Sequence, residues 1–279
     1  MCRAPDYLVI GHATRDLLPD GSTTPGGTVT YAGLAAQRLG RQVGVLTSAA
    51  TRPEMGALGV ELCCRPAGHD TLFENIPTLA GRKQYLRACA SPLSLTDLPP
   101  GWNQARIVHL GPLLQELDPR LIEAFPGALL GITPQGWLRR WDAQGLISPM
   151  RWRHSWRLVE AASVVVLSPE DVGGDAHELD LWRAHARVLV VTLGKQGAIV
   201  YHAASAQRVP AYDVVEIDPT GAGDVFAAAF LVRLDECGDL IEAARFANCA
   251  ASFAVEGLGT TSLPTREQVE WRLAHGRTR

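Results

Sequence analysis

The amino-acid sequence predicts an α/β fold built on a mostly parallel sheet. Short apolar runs, the pattern of strands that are buried on both faces, alternate with segments of helical periodicity. A chain of 279 residues suits one large domain of this class or two small ones. The predicted strands cover residues 7–10, 43–47, 107–110, 128–132, 163–167 and 187–193, and the predicted helices cover 32–39, 119–125 and 240–255.

The composition excludes several classes of function. The chain is 47% hydrophobic and 20% charged, with a net charge of −3, so no excess of basic charge points to nucleic acid or an anionic membrane. The apolar runs are too short to span a bilayer, and the N-terminus lacks the apolar core of a signal peptide. These features predict a cytoplasmic protein.

The cysteines fit a reducing compartment. The six cysteines form no CxxC pair and no metal-ligand spacing with the eight histidines. Cys237 and Cys249 fall in apolar helical patterns, which predicts small core residues. The other four are Cys2, Cys63, Cys64 and Cys89.

One stretch carries most of the functional signal. In the run 218–224, three small residues (Gly221, Ala222 and Gly223) precede Asp224, and a long apolar helix follows. Such a turn exposes the first N–H groups of the helix at the positive end of its dipole, where an anion can bind. A carboxylate at this place suits a base that takes a proton from a hydroxyl while the N–H groups stabilise a phosphoryl group. The alternative is a plain helix start with an acidic residue in its first turn.

The run from Asp218 to Phe230 resembles, position for position, the C-terminal signature of the ribokinase-like (PfkB) carbohydrate kinases. The resemblance implies ATP as phosphoryl donor, Mg²⁺ as metal, Asp224 as catalytic base and the 221–223 turn as anion hole. It also implies a three-layer α/β/α fold with a small β lid. We therefore expect a single ribokinase-like domain over 1–279, with the lid formed by about 12–25 and 58–96.

The acceptor side is predicted near the N-terminus. Asp16 follows the first strand, at a position where the family holds substrate hydroxyl groups, although a solvent-facing loop Asp is the alternative. Gly26 and Gly27 resemble the glycine pair that approaches the bound sugar, and alone they signal only a turn. Tyr31 stands where the family often has Asn, which puts ribose and fructose phosphate in doubt as substrates.

A second acceptor segment is predicted at 133–139. Gln135 and Arg139 are four residues apart, so in a helix they would share a face. The segment resembles a D-x-Q-x-x-x-R stretch of the family's inositol kinases, with Thr133 in place of the Asp. The tryptophans and arginines of 137–157 predict a surface helix pair, with single-stranded nucleic acid binding or a homodimer contact as alternatives.

The donor and metal side is predicted from three further motifs. Ser168, Glu170 and Asp171 follow a strand where the family has N-x-x-E, so Asp171 and Glu170 are the candidate carboxylates for Mg²⁺. The other predicted donor contacts are the T-x-G-x-x-G residues Thr192, Gly194 and Gly197, together with Thr220 and Asn248. A simple hairpin turn is the alternative for 192–197, and the Asp218 carbonyl is the candidate for a monovalent cation such as K⁺.

Together these motifs predict a kinase that transfers the γ-phosphoryl group of ATP to a hydroxyl of a sugar or polyol. Tyr31 and the 133–139 segment favour a cyclitol such as myo-inositol as acceptor. A nucleoside or furanose sugar is the second candidate. A non-catalytic sugar or nucleotide sensor on the same fold is the third.

Overall fold

The computed structural model describes residues 4–55, 59–78, 81–152 and 156–279. Cys2, and residues 58, 79, 80 and 153–155 of the predicted lid and tryptophan segment, lie outside this part of the chain. The strands are β1 Tyr7–Ile10, β2 Thr14–Leu17, β3 Thr23–Gly26, β4 Val43–Ala49, β5 Glu61–Pro66, β6 Thr71–Thr78, β7 Gly81–Ala88, β8 Ile107–Leu110, β9 Leu129–Ile132, β10 Arg139–Trp141, β11 Ile147–Pro149, β12 Val164–Leu167, β13 Val188–Thr192, β14 Ala198–His202 and β15 Ser205–Val209. The α-helices are α1 Thr28–Arg38, α2 Trp156–Ala161, α3 Ala176–His185, α4 Ala222–Cys237, α5 Leu240–Ala254 and α6 Arg266–His275.

The central sheet has nine strands, in the order β15-β14-β13-β12-β9-β8-β1-β4-β5. The strands from β13 to β5 pair in parallel, and β14 and β15 add an antiparallel edge. This confirms the predicted α/β fold with a mostly parallel sheet. Since the carboxyl ends of the parallel strands meet at one edge, the loops that follow them converge there.

Helices cover both faces of this sheet because successive strand residues point to opposite sides. In β1, Tyr7 and Val9 join a core cluster with α1, α4 and α5, whereas Leu8 and Ile10 join a cluster that includes Trp102, Trp182 and α2 residues. Both clusters are buried, which is why the parallel strands read as continuous apolar runs in the sequence. The result is a three-layer arrangement.

A second sheet of four strands, ordered β3-β2-β6-β7, contains Asp16 and Gly26, two of the residues predicted to bind the acceptor. It draws on 14–17, 23–26 and 71–88, within the two segments expected to form a lid. Residues 61–66 of that prediction go elsewhere: β5 pairs in parallel with β4 and extends the central sheet. The reason is that β5 pairs with β4 along its whole length, and Cys63 packs into the core on one face.

Three local predictions are wrong. The predicted α-helix at 119–125 is a 3-10 helix, Pro119–Ala124. The predicted helix pair at 137–157 is the hairpin β10–β11, and Trp137 is only 3% exposed, stacked on Trp152 at a ring-centroid distance of 4.7 Å. Cys237 is exposed at the end of α4, whereas Cys249 is buried as expected.

No α-helix in the described ranges is long and apolar enough to cross a bilayer. The free cysteines in these ranges, Cys63, Cys64, Cys89, Cys237 and Cys249, form no disulfide.

The β10–β11 hairpin is attached to the four-stranded sheet through Gly145. Its φ is 84°, its carbonyl accepts from the Leu86 N–H at 2.8 Å, and a Cβ there would overlap the Leu86 carbonyl. Gly145→Ala should lower the free energy of unfolding by about 1–3 kcal/mol. Gly68→Ala, where a Cβ meets open space, should be neutral or slightly stabilising in the same chemical unfolding experiment. Equal stability of the two variants would contradict this account of the attachment.

Candidate active site

The turn before α4 is held in shape by close packing. Gly221 caps the helix with a φ of 77°, and a Cβ at this residue would overlap the ring of Tyr31 in α1. The Thr220 N–H donates to the Asp218 carboxylate at 2.9 Å, which closes the preceding turn. Only glycine can take this backbone conformation against an aromatic ring without strain.

The N–H groups of this turn are divided between the protein and the site. The Ala222 N–H donates to the Pro219 carbonyl at 3.2 Å, so it is used within the turn. The backbone of the described residues offers no acceptor to the N–H groups of Gly223 and Asp224. The N–H groups of Gly223 and Asp224 are therefore available to bind an anion at the positive end of α4. The sequence predicts a wider anion hole, formed by the whole 221–223 turn.

Asp224 is the third residue of α4 and is partly buried. Burial raises the pKa of its carboxyl to about 6, and the negative charge of Asp171 adds to this rise. A hydrogen bond from the Thr28 side chain and the positive charge of Arg139 oppose it. A carboxylate whose pKa lies close to neutral is well matched to take up a proton during a reaction.

Asp16 and the glycine pair lie together at the edge of the small sheet. A Cβ at Gly26 would lie 2.7 Å from an Asp16 carboxylate oxygen, so the carboxylate rests directly over this backbone. Asn75 of β6 donates to the other oxygen at 3.1 Å, and Gln84 of β7 in turn donates to Asn75 at 3.0 Å. Gly27 is the N-cap of α1, which places Asp16 beside the start of that helix.

Tyr31 has a different environment from the one that the sequence suggested. Its side chain is 3% exposed, because its ring packs against Gly221. Burial raises the pKa of its phenol to about 12, with further contributions from the charges of Asp218, Asp16 and Asp224. The ring face is therefore covered by the turn and is not available to a substrate. Tyr31 supports the anion-binding turn instead.

Gln135 and Arg139 do not share a helical face. Residues Pro134–Leu138 form a 3-10 helix, and Arg139 begins β10. The Gln135 amide donates to Asp171, one of the two carboxylates predicted to bind Mg²⁺, at 2.9 Å. Arg139 acts electrostatically on Asp224. The segment thus reaches the site, but with its two polar side chains in separate roles.

Asp171 is the better placed of the two candidate metal carboxylates. One of its oxygens accepts from the Ser168 N–H at 2.7 Å and from the Ser168 hydroxyl at 3.0 Å, and the other accepts from Gln135. Glu170 is exposed in the same turn. Within the described ranges no cluster of three metal-ligating side chains occurs. This donor set fits Mg²⁺, which commonly binds one or two carboxylates and takes its remaining ligands from water and phosphate.

The predicted donor loop is a tight turn at the antiparallel edge of the sheet. The Leu193 N–H donates to the Gly197 carbonyl at 2.7 Å, with Gly194 between them, and the Thr192 hydroxyl donates to the Leu167 carbonyl at 3.4 Å. A cleft of about 550 Å³ opens beside it. Its lining is rich in cations and comprises Lys195, Gln196, Arg208, Pro210, Ala211 and Arg279.

Asn248 is buried on α5, and both of its contacts are with the protein. Its amide group donates to the carbonyls of Val209 and Pro210, each at 3.1 Å. These bonds fix the chain as it leaves β15 for the wall of the cleft. A direct contact with a nucleotide base would have to use its side-chain oxygen.

Sequence reasoning missed two residues that shape the site. Thr28 is 2% exposed and holds the Asp224 carboxylate by its side chain. Glu116, 3% exposed, accepts from the backbone N–H groups of His12, Leu113 and Leu114, and so fixes the loop after β8. Thr28 could have been suspected from its place directly after the glycine pair, whereas nothing local marks Glu116.

Residues 150–266 match the pfkB family carbohydrate kinase model. This match covers somewhat less than half of the chain. In sequence it is similar to the cytidine kinase of Thermococcus kodakarensis, with 26% identity over 83% of this chain and 91% of that protein. It is also 48% identical to the ribokinase of Bacillus subtilis, over 84 residues. That match spans 28% of the ribokinase, and the match to rice fructokinase-1 spans 31% of its length.

Solved structures of kinases of the ribokinase family, and of a ribokinase, share the fold of this chain. A pyrophosphate-dependent kinase of the ribokinase family, in a sulfate complex, has a TM-score of 0.80 at 22% identity, covering 95% of this chain and 99% of that one. A pyrophosphate-dependent kinase of that family complexed with a pyrophosphate analogue and myo-inositol has a TM-score of 0.76 at 22% identity, with the same coverage. Arabidopsis thaliana ribokinase, complexed with ribose and ATP, has a TM-score of 0.71 at 20% identity over 97% of this chain and 99% of that one. These likenesses establish the ribokinase-like fold.

The pKa of Asp224 has a consequence for stability. The folded carboxyl keeps its proton up to about pH 6, whereas an unfolded Asp releases it near pH 4, so its ionisation opposes folding above pH 6 and has no effect below 4. Asp224→Asn should therefore raise the free energy of unfolding at about pH 8, by on the order of 2 kcal/mol, and the gain should fade as the pH drops from 6 to 4. Urea unfolding of both proteins across this range measures it. A gain that persists below pH 4 would show another cause.

Proposed function

We propose that the chain is a phosphotransferase that moves the γ-phosphoryl group of ATP to a hydroxyl group of a sugar or polyol. One observation carries the proposal. The Asp224 carboxyl, with its pKa raised to about 6, lies in the first turn of α4 beside two N–H groups that have no backbone acceptor within the described ranges. A base and an anion-binding turn at one point are what phosphoryl transfer to a hydroxyl requires.

The proposed reaction keeps atoms and charges balanced. Asp224 takes the proton of the acceptor hydroxyl, the acceptor oxygen bonds to the γ-phosphorus, and the bond from that phosphorus to the β-phosphate oxygen breaks. The N–H groups of Gly223 and Asp224 donate to the oxygens of the transferring group, where charge is spread in the transition state. Thr28 and Arg139 keep the carboxylate in place and ionised before the transfer.

Mg²⁺ would be held on the other side of the transferring group. Asp171, with Glu170 in the same turn, is the proposed carboxylate ligand, directly or through water. When bound, the metal neutralises charge on the phosphate oxygens. Ser168 and Gln135 fix the orientation of Asp171 by hydrogen bonds to its two oxygens. A monovalent cation at the Asp218 carbonyl remains part of the proposal.

The donor is proposed to bind along the loop after β13. Thr192, Gly194 and Gly197 shape this loop, and the neighbouring cleft carries Lys195, Arg208 and Arg279, whose charges attract a polyphosphate. Asn248 holds the carbonyls of Val209 and Pro210 beside this cleft, and Thr220 lies in the turn before α4. Val215 and Ile217, at 78% and 60% exposure, offer apolar surface for a nucleotide base. The structural neighbours include both ATP-bound and pyrophosphate-dependent enzymes, so pyrophosphate is the alternative donor.

The proposed acceptor is a cyclitol such as myo-inositol, held by Asp16, Gly26 and Gly27 on one side. Two features support this acceptor. The 133–139 segment resembles a stretch of inositol kinases, and one structural neighbour is complexed with myo-inositol. Since Tyr31 is covered by Gly221, it contributes through the shape of the turn. A nucleoside or furanose sugar is the second candidate, favoured by the cytidine kinase that aligns over 83% of the chain. A non-catalytic sensor is the third, and the raised pKa of Asp224 argues against it.

Asp224→Asn should abolish turnover while leaving the fold and ATP binding intact. The change preserves shape and removes the base, so kcat should fall by about 10²–10⁴-fold. Asp180→Asn, an equal change on the exposed surface of α3, is the matched control and should keep full activity. The measurements are single-turnover kinetics and ATP titration. Retention of more than about a third of the wild-type rate, with chemistry rate-limiting, would remove Asp224 from the base role.

The acceptor is tested by a panel of cyclitols, pentoses, hexoses and nucleosides, each assayed with ATP and with pyrophosphate. We expect kcat/KM for myo-inositol to exceed that for ribose, fructose and adenosine by at least about tenfold, because a site built for particular hydroxyl groups leaves its own polar groups unpaired with other ligands. A preference for ribose or a nucleoside would reject the cyclitol and leave the kinase standing. Binding of a panel member without turnover would favour the sensor.

A further inference from the structure

A chain of three polar side chains lies beneath the acceptor side of the site and has no part in the chemistry proposed above. Tyr7 in β1 and His109 in β8 are both 0% exposed, and the Tyr7 hydroxyl lies 2.7 Å from His109 Nδ1. On the other side of the ring, His109 Nε2 lies 3.0 Å from the Thr133 hydroxyl oxygen. The three residues come from β1, from β8 and from the end of β9, which are neighbouring strands.

The direction of these hydrogen bonds follows from protonation and burial. Burial raises the pKa of the Tyr7 phenol well above its ordinary value, and the charge of Asp224 adds to the rise, so the phenol keeps its proton. Burial also lowers the pKa of His109 to about 3, so its ring is neutral, with one donor and one acceptor nitrogen.

Only one arrangement satisfies every buried proton. Among the described residues, His109 is the hydrogen-bond partner of the Tyr7 hydroxyl, so the phenol proton must point at Nδ1 or remain buried without an acceptor. The ring proton then lies on Nε2 and is donated to the Thr133 oxygen. Because the Thr133 oxygen accepts this hydrogen bond, the hydroxyl proton of Thr133 does not point at His109 and can be donated to another group.

The Thr133 hydroxyl lies at the site. Thr133 is partly exposed at the carboxyl end of β9, whereas Tyr7 and His109 are fully buried. A Cβ placed on Gly111 would overlap the Thr28 side chain and lie 3.4 Å from the Thr133 oxygen, so both threonines border the same small space. Thr28 is the residue that holds the Asp224 carboxylate.

We propose that Tyr7 and His109 are positioning residues that orient the Thr133 hydroxyl as a hydrogen-bond donor to an oxygen atom of the acceptor substrate. The inference rests on the proposed function and extends it to one contact. Because the Thr133 hydroxyl accepts from His109, its own proton is free to be donated to a lone pair of a hydroxyl, ether or carbonyl oxygen of the substrate. A protein carboxylate in place of Thr133 could only accept a hydrogen bond, so the substrate would have to supply a donor group there. The hydrogen-bond chain therefore selects acceptors that carry an oxygen at this position.

The direction is tested first, without any substrate. Protein labelled with ¹⁵N-histidine and examined by two-bond ¹H–¹⁵N spectra at neutral pH should show His109 as a neutral ring with its proton on Nε2. Tyr7→Phe removes the donor and should abolish the single fixed tautomer, whereas Tyr201→Phe, on the half-buried strand β14, should leave the His109 signals unchanged. A charged ring, or a proton on Nδ1, overturns the proposal.

The contact is tested next by kinetics with whichever acceptor the panel identifies. Thr133→Val removes the hydroxyl with little change in volume and should raise the acceptor KM by about threefold to tenfold, with the donor KM unchanged. Thr133→Ser restores the hydroxyl and should return the KM close to the wild-type value. Tyr7→Phe should raise the acceptor KM in the same direction, and Tyr201→Phe should not.

The outcomes separate this inference from the proposed function. If no panel member is phosphorylated, the proposed function fails, and the tautomer of His109 still decides the direction of the hydrogen bonds. If the enzyme is active but Thr133→Val keeps the wild-type acceptor KM, or raises both KM values equally, the substrate contact is wrong and the kinase stands. Thermal unfolding of each variant, with Thr133→Ser as the conservative case, identifies any loss that comes from the fold.

Discussion

The packing of the Gly221 backbone against the Tyr31 ring is the contact on which the site depends. It joins the start of α4 to the first turns of α1, two helices separated by most of the chain. The same two helix starts supply Asp224 and Thr28, which are joined by a hydrogen bond. Because a side chain at 221 would push the helices apart, the turn before α4 and the start of α1 keep a fixed relative position. Such preorganisation is what a transfer reaction requires from its enzyme.

Charge is the second constraint. Asp16, Asp218 and Asp224 each raise the pKa of the Tyr31 phenol, and Asp171 raises that of Asp224, so the carboxylates face one another across a small region. Arg139 offsets part of this repulsion. The ionised Asp224 carboxylate thus opposes folding, which is typical of a functional site rather than of a core selected for stability. A metal ion bound at Asp171, as proposed above, would relieve the repulsion between Asp171 and Asp224.

Much of the fold could be predicted from the sequence, because parallel strands buried on both faces leave continuous apolar runs and the turn at 221–223 has few other uses. The departures have physical causes. Residues 61–66 alternate like an edge strand in either sheet, and only pairing with β4 decides between them. The spacing of Gln135 and Arg139 fits one face of an α-helix, yet the 3-10 helix ends at Leu138. Gln135 therefore bonds to Asp171, whereas Arg139 acts on Asp224. The sequence predicts Tyr31 at the acceptor site. Its contact with Gly221, 190 positions further along the chain, leaves no local signal that would indicate a different role.

The two glycines after neighbouring strands β1 and β8 explain how so many groups meet at one edge. A Cβ on Gly11 would overlap the carbonyl of Gly111, and a Cβ on Gly111 would overlap Thr28. The chain leaving β1 therefore passes directly over the chain leaving β8, and α1 settles against both. With larger residues the strands would still pair, since their register is set within the sheet, but α1 would stand further out. Thr28 would then lose its hydrogen bond to Asp224, and Thr28 and Thr133 would no longer border one space beside Gly111. The close approach of three backbone segments, more than any single side chain, is what gives the site its dimensions.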